Sequence, residues 1–452
     1  MAGTNISRAN GSGSATTKFT LSMWIKRGST DTGRMFSATG GSGDVYFRFN
    51  AGGVIEWSGH GSNASSAGYF LTNRLFRDFS SWYHFVIRFD STQASASDRL
   101  RFYVNGTQEE SFSTYTDVNQ NATDNISLSS NTHYWGGAAS SQYFDGMMTH
   151  LHYSNGYSYG PDTFGETDTT SGIWKPKLTP SVTYGSQGYF LKFENSGAMG
   201  TDSSGNSNTF TVANGTLTQQ SDTPSNVFAA LNNANVGGGA STLTNSCLTY
   251  TRTDYSHNAR STLGFTKGKW YWEQKQSDNS TRIGLITSGF SNNLDTDSTD
   301  AYYGTYANGG VYNLLSNSGT SWQRTNNDTS RSVDTYTSAI GSSAGDILMG
   351  AVDADSGKLW IGVNGVWMNS GDPAAGSNNQ ITFTNSTPDE LQVYAGFGTS
   401  SSRTSNFNFG SGFFGTTAVT SANADANGLG AFEYTVPSGY YAICTKNIKE
   451  FG

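Results

Sequence analysis

Proline is scarce in this chain, 7 in 452 residues, against 55 glycines. Charge is scarce too, at 13% of residues, and there are two cysteines. Two cysteines, Cys247 and Cys444, cannot build a disulfide framework. Each sits in a strand-like run ("SCLTY", "YAICT"), which reads as a buried thiol or as one bridge. No apolar run approaches the roughly 18 residues that a spanning helix needs, so no membrane insertion is expected. The first residues, "MAGTNISRANGSGS", lack a basic head followed by an apolar stretch, so no secretory signal is expected. Positive charge is in the minority: 26 Lys and Arg against 34 Asp and Glu give a net charge of −8, with a pI near 5.2. A sequence-independent grip on phosphates needs a basic surface, so nucleic acid is excluded as the expected partner. Helical periodicity is missing as well: no window keeps apolar residues at i, i+3, i+4, i+7 over three turns.

What the chain does have is alternation. "FTLSMWIKR" puts Phe19, Leu21, Met23 and Ile25 on one face. "WYHFVIRFD" sets Tyr83, Phe85, Ile87 and Phe89 against His84 and Arg88. Aromatics at 13% are spread through such runs, which argues against disorder. Abundant Gly and Asn supply positive-φ turn positions. Strands with turns every roughly 8–12 residues and no helices between them predict antiparallel sandwiches. At 452 residues two or three domains are expected.

One pattern occurs twice. A strand ends in Asp (Asp90, Asp353), a polar loop follows, a strand ends in Val-Asn-Gly, and a return strand begins. Asn105-Gly106 and Asn364-Gly365 predict type I′ hairpin turns, which need positive φ at both central residues. The fold class is therefore all-β, with two sandwiches in tandem. Domains are expected at 1–178 and 227–452. A polar connector at 179–226 contains one strand-like piece, "GYFLKFENS", that could join the first domain. The tail "EYTVPSGYYAICTKN" predicts a closing strand pair.

"FTLSMWIKRG", "SWYHFVIRFDSTQASASDRLRFYVNG" and "DGMMTHLHYSNGYSYGPDTFGETDTTSGIWKPK" resemble the laminin-G/pentraxin-like jelly rolls of bacteriophage virion proteins, over about the first 175 residues. "GKWYWE", "RIGLI", "GDILMGAVDADSGKLWIGVNG" and "FNFG" are similar to a SPRY domain, another concanavalin A-like sandwich, over roughly 245 to 410. "PSGYYAICTKN" looks like the close of phage tail or surface proteins. The resemblance implies a virion protein, part of a tail, fibre or capsid appendage, that adheres to the host surface. A structural adaptor without a ligand and a polysaccharide-degrading enzyme are the alternatives.

Catalytic constellations are sparse. A retaining glycosidase needs two carboxylates about 5–5.5 Å apart. Glu166-Thr-Asp168 opens such a spacing, but Thr169, Thr170 and Ser171 follow where a second Glu is needed. Glu56, Glu194, Glu273, Glu390 and Glu433 stand alone in their runs. No enzyme and no cofactor are expected. His150-x-His152 reads as a half-exposed strand surface, with a shared metal as the sharper reading. Asp117, Asn119 and Asn121 have EF-hand-like spacing, but Ala122 stands where Gly is needed and Leu128 where Glu is needed. Asp295, Asp297 and Asp300 offer hard ligands in one loop, or a solvated acidic loop. Trp24, Trp82, Trp270, Trp272 and Trp360 read as core, whereas Trp57, Trp135, Trp322 and Trp367 lie near loops.

The candidate ligand site falls between "RIGLI" and "DILMGAV", where some sixty polar residues read as one long loop. Tyr302, Tyr303, Tyr306 and Trp322 offer faces for a sugar or protein receptor, with Asp295 and Asp297 at the rim. In SPRY relatives the equivalent edge loops form the ligand surface. The partners expected are other virion proteins, a host-surface glycan or receptor, and further copies of the chain, a homotrimer.

Overall fold

The computed structural model describes the chain except residues 1–2, 14, 31, 41–43, 60–67, 170–171, 233–240, 254–257, 278–280, 289–310, 316–320, 327–331, 336–342, 384–389 and 398–401. Strands at 311–315, 321–326 and 332–335 are described by backbone alone. The chain divides into two compact units, Met1–Gln219 and Gln220–Gly452.

The first unit is a sandwich of an eight-stranded and a six-stranded antiparallel sheet. In the six-stranded sheet, Lys18–Arg27 lies between Trp82–Asp90 and Gly146–Asn155. Alternation places its side chains as the sequence predicts. Phe19, Leu21, Met23, Ile25, Tyr83, Phe85, Ile87 and Phe89 enter one core with Phe47, Trp57 and Trp135 of the facing sheet. Trp57 and Trp135 are therefore core residues, not loop residues.

Two strands of this unit come from the presumed connector. Tyr189–Leu191 pairs with Gly146–Asn155, and Thr211–Asn214 pairs with Asn5–Ala9. The polar run "DSSGNSN" between them is tied down by Asp202. Its carboxylate accepts from the backbone N–H groups of Phe190, Ser204 and Asn208 at 2.8–2.9 Å.

The opposite face of the six-stranded sheet is buried too, because the chain after Asn155 folds back over it. Phe164, Tyr159 and Val182 pack on Val86 and Tyr103. Trp174, on a small hairpin of Gly165–Thr167 with Trp174–Pro176, donates from Nε1 to His84 Nδ1 at 3.0 Å. His84 Nε2 then carries the proton toward Ser22 Oγ, 2.8 Å away. This corrects the half-exposed reading of "THLHYS". His152 is 1% exposed, stacked 3.9 Å from Phe190, with Nδ1 2.9 Å from the Tyr184 hydroxyl. A bulge between Thr149 and His152, with His150 at φ 48°, breaks the shared face of the two imidazoles. Lys175 takes up both Glu166 and Asp168 as ion-pair partners.

The second unit pairs a nine-stranded with a six-stranded sheet. Tyr250 of the first stacks on Phe397 of the second at 5.6 Å. Here the reading of 287–345 as one long loop is corrected. Val311–Leu315, Ser321–Asn326 and Ser332–Thr335 form an antiparallel meander that extends the six-stranded sheet from Thr281–Thr287. "VYNLL" pairs residue for residue with "RIGLI". The tail is corrected as well. Tyr441–Ala442 joins Lys269–Gln276 in parallel, and Thr445–Phe451 is an α-helix instead of a second strand. Cys247 lies in a turn, at φ 61°, and Cys444 at the helix start; both are buried thiols, not a bridge.

The repeated motif is one device built twice. Asn105 and Gly106 have φ 49° and 83°; Asn364 and Gly365 have φ 49° and 84°. In each turn the Asn side-chain oxygen accepts from the backbone N–H of the first meander strand, His84 at 2.7 Å and Ile347 at 2.9 Å. In each, that strand's terminal Asp faces the Lys that starts its neighbour: Lys18 to Asp90 and Lys269 to Asp353, both 3.4 Å.

Candidate functional site

Of the residues proposed from sequence, Tyr302, Tyr303, Tyr306, Asp295 and Asp297 lie outside the described residues. Trp322 is placed by its backbone alone, on Ser321–Asn326 opposite Asp334. Asp300 also falls outside, and among the described residues no group of three His, Cys, Asp or Glu is placed to hold a metal.

The site that the described residues do form lies elsewhere in the second unit. It is an open groove of about 760 Å³ between two walls, 365–374 and 434–438, with Met349 on its floor. The first wall begins at the Asn364-Gly365 turn, which returns the chain as Val366–Trp367 at the sheet edge. Trp367 pairs with Gly362, where a Cβ would meet the Met349 methyl at 2.4 Å and the Trp367 ring at 3.1 Å. Gly362 therefore makes room for both. Tyr271 meets the Trp367 ring edge-on at 6.4 Å from below. Beyond it, Asn369 and Ser370 both take left-handed φ of 52°, turning the chain sharply. Gln380 fixes that turn, donating to Met368 O at 2.8 Å and accepting from Ile361 N at 2.7 Å.

The second wall is held by one buried carboxylate. Glu273 accepts from the backbone N–H of Tyr434 at 2.8 Å and of Glu433 at 2.9 Å. Tyr271 Oη donates to it at 2.9 Å and Asn408 Nδ2 at 3.2 Å. Burial pushes Glu273 up to about 7, and the four hydrogen bonds oppose that rise. A cross-brace joins the walls, Tyr440 Oη donating to Pro373 O at 3.2 Å. Glu273 looked solitary in sequence because the backbone groups it holds, at 433 and 434, lie about 160 residues away along the chain.

The exposed chemistry is mixed. Trp367 and Tyr434 present half-buried rings, Val366 is 56% exposed, and Ser370, Asp372, Thr435 and Ser438 are exposed. Asp372 Oδ1 accepts from Ala375 N at 3.0 Å. Flat apolar faces beside hydroxyls and one carboxylate suit the C–H and O–H faces of a sugar. The sequence signal for this site was Trp367, a tryptophan near a loop. Tyr434 gave none, since "EYTVPSGYY" reads as strand.

No curated protein matches the sequence. Among solved structures, the TRIM65 PSpry domain is 14% identical, covering 40% of this chain and 89% of that one with a TM-score of 0.29. The SPRY domain of human HERC1 is 13% identical, covering 39% and 96%, at 0.26. A heptameric SAP-like pentraxin from Limulus polyphemus is 17% identical, covering 35% and 72%, at 0.25. Residues 2–157 match the laminin-G-type family described as the concanavalin A-like lectin/glucanases superfamily, and the chain is all-β with that jelly-roll fold.

Proposed function

We propose that this chain is a binding protein of a virion surface, in a bacteriophage tail, fibre or capsid appendage, that attaches to host-cell glycans. The observation that carries the reading is the groove of the second unit, lined by Trp367 and Tyr434 together with the hydroxyl-bearing Ser370, Thr435 and Ser438. Its openness to solvent fits a chain of sugars lying across a surface better than a small molecule enclosed for reaction. The phage-protein resemblance of "FGETDTTSGIWKPK" and "PSGYYAICTKN" supports the virion assignment. A shallow site binds each sugar weakly, so useful attachment needs several copies, and a homotrimer supplies them. The reading is one of binding and not of catalysis.

The test compares wild-type protein with a Trp367→Ala/Tyr434→Ala variant that keeps its circular dichroism and melting temperature. Both are applied to an oligosaccharide array and to host cells. Wild type should bind and the variant should lose most of that binding. Equal binding by the two would remove the groove, and absence of any glycan signal would remove the glycan reading.

A further inference from the structure

The charges around the groove discriminate between classes of sugar. Among the described residues that line it, Asp372 is the one charged side chain, and no Lys, Arg or His is present. Behind the second wall stands Glu433, and Asp346 bonds the Asn364 side chain at 2.7 Å at the edge of the first; Glu273, raised to about 7, adds its charge only above neutral pH. The Tyr434 phenol registers all three carboxylates. It is raised above its ordinary value first by burial, then by Glu433, Glu273 and Asp346. It therefore stays a protonated hydrogen-bond donor.

Two cations of the same sheet, Lys358 and Lys269, are turned to other tasks. Lys358 Nζ donates to Gly376 O at 2.8 Å, and Lys269 is paired with Asp353 at 3.4 Å. Glu433 is held by Thr420, through the backbone N–H at 2.7 Å and the hydroxyl. Asp372 differs from these carboxylates in being exposed at the mouth. A ligand in the groove thus meets a negative field with no compensating base among the described lining residues. We infer that the groove takes neutral or amine-bearing glycans and rejects uronate, sialylated or phosphorylated ones. Aromatic faces supply stacking for either accepted class, and Asp372 supplies the ion-pair partner for an amine.

This inference rests on the glycan reading above, and the experiment separates the two. Three probes are titrated into the full chain by calorimetry at pH 6: an N-acetylglucosamine hexamer, a glucosamine hexamer and a galacturonate hexamer. A mixed array of neutral, amino and acidic oligosaccharides is run beside them. The amine-bearing probe should bind about threefold or more tighter than its neutral counterpart at low salt, from one exposed charge pair. That advantage should fade in high salt, and Asp372→Asn should bring the ratio toward one. Acidic sugars should bind least. Acidic sugars binding as well as neutral ones would overturn the inference while leaving glycan binding intact. An amine preference that survives both salt and Asp372→Asn would overturn the role of Asp372. Binding of no sugar class would overturn the inference together with the reading beneath it.

Discussion

Acidification should unfold the first unit, and the histidines say where. His84 and His133 are fully buried, and burial holds them at about 3 and about 4. His152, also fully buried, is held well below its ordinary value by burial and by His150 and His84. His84 accepts from Trp174 through Nδ1, so a second ring proton would set two N–H groups against each other. His133 keeps its neutral ring among Asn10, Tyr189 and the Ile126 carbonyl. Such groups bind a proton in the unfolded chain before they bind one in the fold. Their contribution is complete above about pH 6.5 and is lost as pH falls toward 4. At pH 5 His84 and His133 have each forfeited about 1.5 pH units, or about 2 kcal/mol, together about 4 kcal/mol, and His152 acts in the same direction. Asp124, raised by burial, acts in the opposite direction over part of that range. Half of the sum is still a large part of the roughly 5–15 kcal/mol that holds a domain together. Calorimetry of the full chain at pH 7, 6 and 5 should show the first unit's transition falling by about 10 °C. Hydrogen exchange identifies which transition belongs to it. A shift under about 2 °C would mean that these imidazoles are not held neutral by the fold, and the argument would fail.

The second unit should respond in the opposite sense through Glu273, whose value in the fold is raised to about 7. Its contribution is complete below the unfolded carboxylate range and is lost progressively as pH rises from there to about 7, so the second transition should fall between about pH 5 and 7 and level off above. A flat profile there would count against a buried charge at Glu273. Glu273→Gln should flatten that profile and cost about 1–3 kcal/mol, since its amide would face N–H donors, which denaturant titration would read. Gly365→Val combines a left-handed φ with a Cβ 2.9 Å from the Tyr434 ring. It should cost about 1–2 kcal/mol and weaken glycan binding together with stability. An unchanged melting temperature would contradict the turn geometry. Trp174→Ala should loosen the covering hairpin and speed exchange of the Trp82–Asp90 amides, and unchanged protection would show that the hairpin is not what seals His84.

How much of this was legible depends on whether the information was local. The face of "FTLSMWIKR" that enters the core could be read because alternation is a property of nine consecutive residues. The Asn-Gly turns could be read because positive φ at two positions has few chemical solutions. Burial of the opposite face could not. "WYHFVIRFD" puts His84 where a half-exposed strand would put a polar residue, and only the return of Trp174, 90 positions later, turns it into an interior group. The two strands taken from the connector are three and four residues long, too short to show a period. The closing helix, "TKNIKEF", has seven residues, under two full turns and too few for a stripe. The groove was hidden for a related reason. Trp367 and Tyr434 both line the groove, and Tyr434 is held there by Glu273, a residue on neither wall. Its two backbone contacts at 433 and 434 place the second wall, so the groove is encoded by a carboxylate that does not line it. A search confined to exposed aromatics finds Trp367 and stops. A search that asks why a glutamate is buried in "KWYWEQKQ" arrives at the opposite wall.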